Sequence, residues 1–209
     1  PYSIRWDGDA NALMINDPRH TPGEFRTEPV WIGGGSTPIG ATFVGPRHEL
    51  IPGAIDDLIA FTQRTDVPAL PQIAVGHAQF ETIHPFLDGN GRLGRLMISL
   101  YLASERLLVK PALYLSDYFE RNKTAYVDHM MAVRQGNHLR DWLVFFLHGV
   151  EETARGSAGV FRAILALKER IEREVLPRFS HRRQENAQQL MRNLYAQPVT
   201  DVKAVTALL

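Results

Sequence analysis

The sequence has no cysteine, which excludes a disulfide framework and a thiolate metal site. A reducing compartment is compatible with that, and a cytoplasmic location is the expectation. No apolar run reaches the length of a membrane span, and no secretory signal pattern is present. Charge bias is missing too: 23 Lys+Arg face 23 Asp+Glu, so neither a strongly basic nucleic-acid binder nor an acidic tail is indicated. Internal repeats and low-complexity tracts are absent. What remains is an ordinary globular composition, 44% hydrophobic over 209 residues, enough for one sizeable domain or one domain and a fragment. The chain starts at Pro1 without a methionine and stops at Leu209 inside an apolar pattern, so the expectation is that both ends are cuts in a longer protein.

One stretch stands apart. From His84 it reads His-Pro-Phe-Leu-Asp-Gly-Asn-Gly-Arg-Leu-Gly-Arg, ending at Arg95. An imidazole and a carboxylate, His84 and Asp88, lie four residues apart, and Gly89 and Gly91 bracket Asn90. Arg92 and Arg95 share a face if a helix begins near Asn90. Leu93, Leu96, Met97 and Leu100 follow at i, i+3, i+4 and i+7, which predicts that helix. A glycine-rich loop entering a helix N-terminus directs backbone N–H groups and positive dipole potential into one concavity. The arginines add bidentate phosphate donors. Asp88 suits magnesium, which prefers a carboxylate together with substrate phosphates. His84 is placed to take a proton from a hydroxyl. The combination describes a polyphosphate site with a base beside it.

Around this stretch the chain reads as helical. Residues 1–29 carry breakers (Gly8, Pro18, Pro22, Gly23, Pro29) and read as irregular. Val30-Trp31-Ile32 and Ala41-Thr42-Phe43-Val44 flank a glycine-rich loop and predict a hairpin over 30–44. Such a hairpin is either a surface feature or a flap offering an edge strand to a peptide. Ile51, Ile55, Leu58 and Ile59 predict a helix that tolerates Pro52 in its first turn. Pro68 and Pro71 place the start of the next helix near Gln72, with Ile73, Gly76, His77, Phe80 and Ile83 on one stripe and His77 as a hydrogen-bonded core histidine. His77, Glu81 and His84 share a face, but no second Glu-x-x-His and no HExxH exists, so di-iron and zinc-hydrolase chemistry is set aside. Beyond a loop closed by Pro111, a helix is predicted from an N-cap at Ser116, with Glu120 in its first turn, to about Arg134. Another is capped by Asp141 and carries an apolar stripe of Trp142, Phe145, Phe146 and Gly149. Segments 158–178 and 182–196 read as helices with Arg178, Arg182 and Arg183 on a solvated face, and a last helix begins at Pro198-Val199-Thr200.

The 84–95 stretch resembles the signature of the Fic family, His-x-Phe-x-Asp/Glu-Gly-Asn-Gly-Arg-x-x-Arg, with all eight specified positions present. Pro22-Gly23-Glu24-Phe25-Arg26 also resembles a segment found upstream of that family's core. The resemblance implies an all-α fold with one small β-hairpin flap. It implies a core over 30–155, helices over 156–197, and over 198–209 the start of a truncated winged-helix-like module. Any nucleic-acid contact would come only through that module. The implied activity is transfer of AMP from ATP, with Mg2+, to a Ser, Thr or Tyr hydroxyl of a target protein. By position, His84 is then the general base and Asp88 the magnesium ligand. Gly89, Asn90 and Gly91 form the anion cradle, Arg92 and Arg95 grip the phosphates, and Phe86 anchors the loop in the core. Ile32, Gly33, Thr42 and Phe43 belong to the target-docking flap. The expected partner is a target protein, a homodimer is compatible, and no membrane is expected, since no apolar run is long enough.

Several alternatives stay open. Relatives carry two successive tyrosines near 126–127, here Tyr126-Val127, and an asparagine near 134, here Arg134, so a base other than adenine is conceivable. A Doc-like protein kinase would bind the nucleotide reversed; that branch has lysine where this chain has Gly91. AMP removal uses the same site, and a non-catalytic regulator of an attached DNA-binding module is a third class. Many relatives hold an inhibitory helix with the pattern Ser/Thr-x-x-x-Glu-Gly/Asn. Here Ser116 to Glu120 comes nearest and fails at Arg121. The expectation is an inhibitory glutamate in a missing N-terminal segment or on a separate partner, acting on Arg95.

Overall fold

The computed structural model of the protein describes residues 23–108 and 113–208. The loop closed by Pro111 and most of the irregular N-terminal stretch lie outside them. Two short strands, β1 (Trp31–Ile32) and β2 (Phe43–Val44), pair antiparallel with Trp31 opposite Val44 and Ile32 opposite Phe43. A 3-10 turn, His48–Leu50, leads into α1 (Ile51–Thr62), followed by α2 (Ala69–Ile83) and α3 (Asn90–Ser104). Then come α4 (Ser116–Arg121), α5 (Lys123–Gly136) and the long α6 (Leu139–Arg170). A π-helical turn (Ile171–Val175), a 3-10 turn (Leu176–Arg178), α7 (His181–Ala196) and α8 (Val202–Leu208) complete the described chain. The fold is all-α with one small hairpin, as the sequence predicts. Two compact units divide between Ala154 and Arg155.

In the first unit α2 is the central helix, packed on α1 and α3. Its stripe of Ile73, Gly76, His77, Phe80 and Ile83 is buried throughout, as the helical spacing requires. Trp142 and Phe146 on α6 are fully buried with it, and the Trp142 indole donates to the Ala74 carbonyl at 2.8 Å. The Gln72 side chain donates to the Phe61 carbonyl at 2.5 Å and accepts from the Tyr101 hydroxyl, tying three helices together. His77 is a core histidine. Its Nδ1 lies 3.0 Å from the Gly94 carbonyl and its Nε2 3.0 Å from the Tyr126 hydroxyl. The ring donates to the first and accepts from the second, the pattern of a neutral imidazole. Burial agrees, pushing its pKa down to about 4.

Local boundaries differ from the sequence reading in several places. The helix read from Gln72 begins at Ala69, with Pro71 inside its first turn. The first N–H groups of a helix have no intrahelical acceptor, so a proline there removes nothing. The helix read from Ser116 to Arg134 is two helices, broken at Asn122 (φ −113°, ψ 33°), whose side chain donates to the Tyr118 carbonyl. Ser116 is the first helical residue and not the cap, and Asp141 lies in the first turn of α6, which starts at Leu139. The last helix starts at Val202, where the Asp201 side chain accepts the Ala204 N–H at 2.7 Å.

In the second unit, Arg178, Arg182 and Arg183 are exposed, a solvated face as expected. No described helix is long and apolar enough to cross a membrane.

Candidate active site

The site is built where α2 stops and α3 starts. Pro85 disfavours a right-handed helical conformation at the residue before it. His84 answers by taking the left-handed region, φ 50° and ψ 60°, as the C-cap of α2. A β-carbon makes that conformation uncommon and costs about 1–2 kcal/mol, so surrounding contacts must hold it. Arg26, only 2% exposed, supplies them: its guanidinium donates to the carbonyls of His84 at 2.8 Å, Glu28 at 2.9 Å and Pro46 at 2.6 Å, with Ile83 at 3.4 Å. Its own N–H donates to the Pro85 carbonyl at 2.9 Å. One buried cation therefore caps the negative end of α2 and ties the base of the hairpin to it.

The His84 ring is largely covered. Its Nδ1 lies 3.3 Å from the Glu81 carbonyl, and with Nδ1–H donating there, Nε2 carries the lone pair. Burial chiefly, then the positive charges of Arg134 and Arg26, push its pKa down to about 4 against the pull of that hydrogen bond. The imidazole is neutral at pH 7 and able to accept a proton.

The loop that follows is clamped from inside. Phe86 is buried against Phe25, ring centroids 5.7 Å apart. The Asn90 side chain is buried and grips the Phe86 backbone twice, accepting from its N–H at 2.9 Å and donating to its carbonyl at 2.7 Å. Any part Asn90 plays in a cradle therefore falls to its backbone N–H. Gly89 sits at φ 83° as the N-cap of α3, a conformation glycine adopts without strain. Asp88 accepts from the Gly89 N–H at 2.6 Å and pairs with Arg92 at 3.0 Å, both side chains about half exposed. A single hard carboxylate at a helix N-terminus that can hold phosphates matches what magnesium takes from a protein, so the donor set fits that ion. A β-carbon on Gly91 would come within 3.1 Å of the Arg95 guanidinium.

The structure also ties the hairpin to this site. Ile32, Gly33 and Thr42 are exposed, and Gly33 crosses so close to Thr42 that a β-carbon would meet its hydroxyl at 2.6 Å. The Phe43 ring carries the Arg134 guanidinium 3.7 Å above its centroid. Arg134 also donates to the Glu81 carbonyl at 2.8 Å and to the Thr82 hydroxyl at 3.3 Å. The residue that departs from the family's asparagine is thus a clamp between β2 and the end of α2. Three residues matter here that the sequence reading gave no role in the site: Arg26, Glu81 and Arg134. Arg26 had one signal, its place in the Pro22-to-Arg26 segment.

Arg134→Met should release the hairpin. Loss of the cation–π contact and of a charged donor to a backbone carbonyl is expected to cost about 2 kcal/mol. Hydrogen exchange should quicken at the Thr42 and Gly45 amides, which donate to the Ile32 and Val30 carbonyls. Unchanged exchange there would show that the clamp holds nothing.

Comparison with known proteins bears on the fold and the family. Residues 8–102 match the Fic/DOC family. A probable protein adenylyltransferase of Aquifex aeolicus is 28% identical over 98 residues, 46% of this chain and 28% of that protein. The crystal structure of a Fic family protein from Desulfovibrio desulfuricans G20 superposes with a TM-score of 0.65 at 24% identity, over 73% of this chain and 46% of that one. The chain thus spans less than half the length of either relative, and the structural likeness speaks to the fold. The signature is complete from His84 to Arg95, a hairpin-bearing helical fold surrounds it, and residues 8–102, just under half of the chain, carry the match to the Fic/DOC family.

Proposed function

We propose that the chain transfers AMP from ATP to a Ser, Thr or Tyr hydroxyl of a target protein. The observation that carries this reading is His84: a neutral imidazole with Nε2 as its basic nitrogen, held at the mouth of a loop that leads into a helix N-terminus bearing Arg92 and Arg95. The likeness to a protein named as a probable protein adenylyltransferase supports it.

The hydroxyl gives its proton to His84 Nε2. Its oxygen forms a bond to the α-phosphorus, the bond to the bridging oxygen breaks, and pyrophosphate leaves. The protein contributes positioning and electrostatics more than covalent chemistry. The N–H groups at the start of α3, with Gly89 and Gly91 allowing close approach, receive phosphate oxygens. Arg92 and Arg95 add charge-assisted bonds. Asp88 would hold a magnesium ion, which neutralises phosphate charge when bound. The exposed edge from Ile32 to Thr42 is the surface for the target's backbone.

Gly91 favours AMP transfer over the Doc-like kinase reading. A side chain there would press on Arg95, whereas that branch carries a lysine. The test is intact-mass spectrometry of candidate target proteins after incubation with the chain, ATP and magnesium. A gain of one adenylate on the target is expected. A gain of one phosphate would move the assignment to the kinase branch.

A further inference from the structure

Glu81 is a buried acid without a structural explanation. It is 6% exposed, and its Oε1 is the buried side-chain atom, among the described residues, that has no hydrogen-bond partner. Leaving a buried polar group unpaired is costly, and more so for a charge. Gly94 on α3 leaves the space it occupies: a β-carbon there would sit 2.6 Å from that oxygen and would have to displace the carboxyl. The other oxygen, Oε2, lies 4.0 Å from His84 Nδ1. The groups facing the carboxyl are His77 and His84 from its own helix, Arg95 from α3, and Tyr126 and Arg134 from α5. Arg26 acts on the His84 end of the cluster.

We propose that Glu81 is a positioning residue for the transfer reaction, its carboxylate balancing the imidazolium that forms when His84 takes the target's hydroxyl proton. The inference rests on the reading of His84 as the base. During the step the proton arrives on Nε2, the proton on Nδ1 stays, and the ring becomes a cation. A carboxylate 4.0 Å away stabilises that cation. Asp88, the carboxylate within the signature, is engaged instead with Arg92 and the Gly89 N–H.

Only the ionised form can act this way. Burial raises the Glu81 pKa to about 7, with Arg95 and Arg134 opposing the rise. Below that pH a neutral acid stands beside a neutral imidazole. Above it the carboxylate is present and His84 is still neutral, its own pKa lying near 4. The transfer rate should therefore climb with pH through about 7 even though the base itself does not titrate there.

The experiment compares wild type, Glu81→Gln and Glu81→Asp. In wild type kcat is expected to rise with pH through about 7. In the Gln variant that limb should vanish and the plateau fall about tenfold, with KM for ATP unchanged. The Asp variant, which keeps the charge on a shorter stem, should retain a limb, and it covers the case in which Gln disturbs folding. A second readout needs no substrate: the His84 ring 15N resonances should show a step near pH 7 in wild type that is lost in Glu81→Gln. A step that persists in Glu81→Gln, or none in wild type, overturns the proposal whatever the activity. A step in wild type together with no transfer by wild type would instead remove the transfer reading, and the catalytic role of the pair with it.

Discussion

Replacing His84 by alanine is expected to lower kcat for transfer about 10²–10⁴-fold, the usual worth of a positioned general base. Nucleotide affinity should stay close to wild type, because the groups assigned to the phosphates, Arg92, Arg95 and the start of α3, do not depend on the imidazole. The stability change should stay within about 1 kcal/mol, since the ring makes one hydrogen bond, to the Glu81 carbonyl. Nor does the substitution add strain: alanine, like histidine, has a β-carbon to accommodate at φ 50°. Paired measurements of turnover and of ATP binding by calorimetry separate the outcomes. An alanine variant that transfers at the wild-type rate would remove His84 from the mechanism, and one that lost binding as well would point to a collapsed loop.

The largest stability effect is expected at Arg26. Arg26→Met keeps most of the apolar stem and removes the guanidinium, stranding the carbonyls of His84, Glu28, Pro46 and Ile83. Charged donors to such groups are worth about 1.5–3 kcal/mol each, and buried carbonyls left unpaired cost about 1–3 kcal/mol. Their effects are not additive, and a total near 3–5 kcal/mol is expected in urea unfolding. Arg26→Lys should recover little of it, because one ammonium cannot reach the directions that the planar fork spans. The left-handed turn at His84 loses its support in the same variant, so transfer should fall more than the folded fraction does. A loss below about 1 kcal/mol would mean that Pro85 and the helix end hold the turn unaided.

The parts of the site that could be read in the sequence are those whose chemistry is local. His84, Asp88, Gly89, Gly91, Arg92 and Arg95 stand in one short stretch, and their spacing alone forecasts a loop entering a helix. The hairpin was legible for a similar reason: two β-prone runs and a glycine-rich connection define it without reference to anything distant. His77 could be read as core because its neighbours at helical spacing are apolar. Asn90, by its place between two glycines, suggests a cradle. Its side chain instead faces inward to the Phe86 backbone, a local contact that composition does not specify. Pro71 is ambiguous from sequence because proline is costly inside a helix and free in its first turn, and the sequence does not say which turn it occupies. Glu81 lies one helical turn from His84, a spacing the sequence shows, but its burial does not follow from that spacing; Arg26 and Arg134 act through groups brought together by the fold. Arg26 meets His84 across 58 positions of sequence, and Arg134 reaches Glu81 across 53. No periodicity records such pairs.

The central claim is that this site moves an adenylate to a protein hydroxyl. The most direct test is incubation of the chain with magnesium and a panel of candidate target proteins, using ATP labelled at the α-phosphorus in one arm and at the γ-phosphorus in the other. The account predicts label on a target protein from the α position alone, absent when His84→Ala replaces the wild type. Label from the γ position, or α label that persists in the alanine variant, would contradict it.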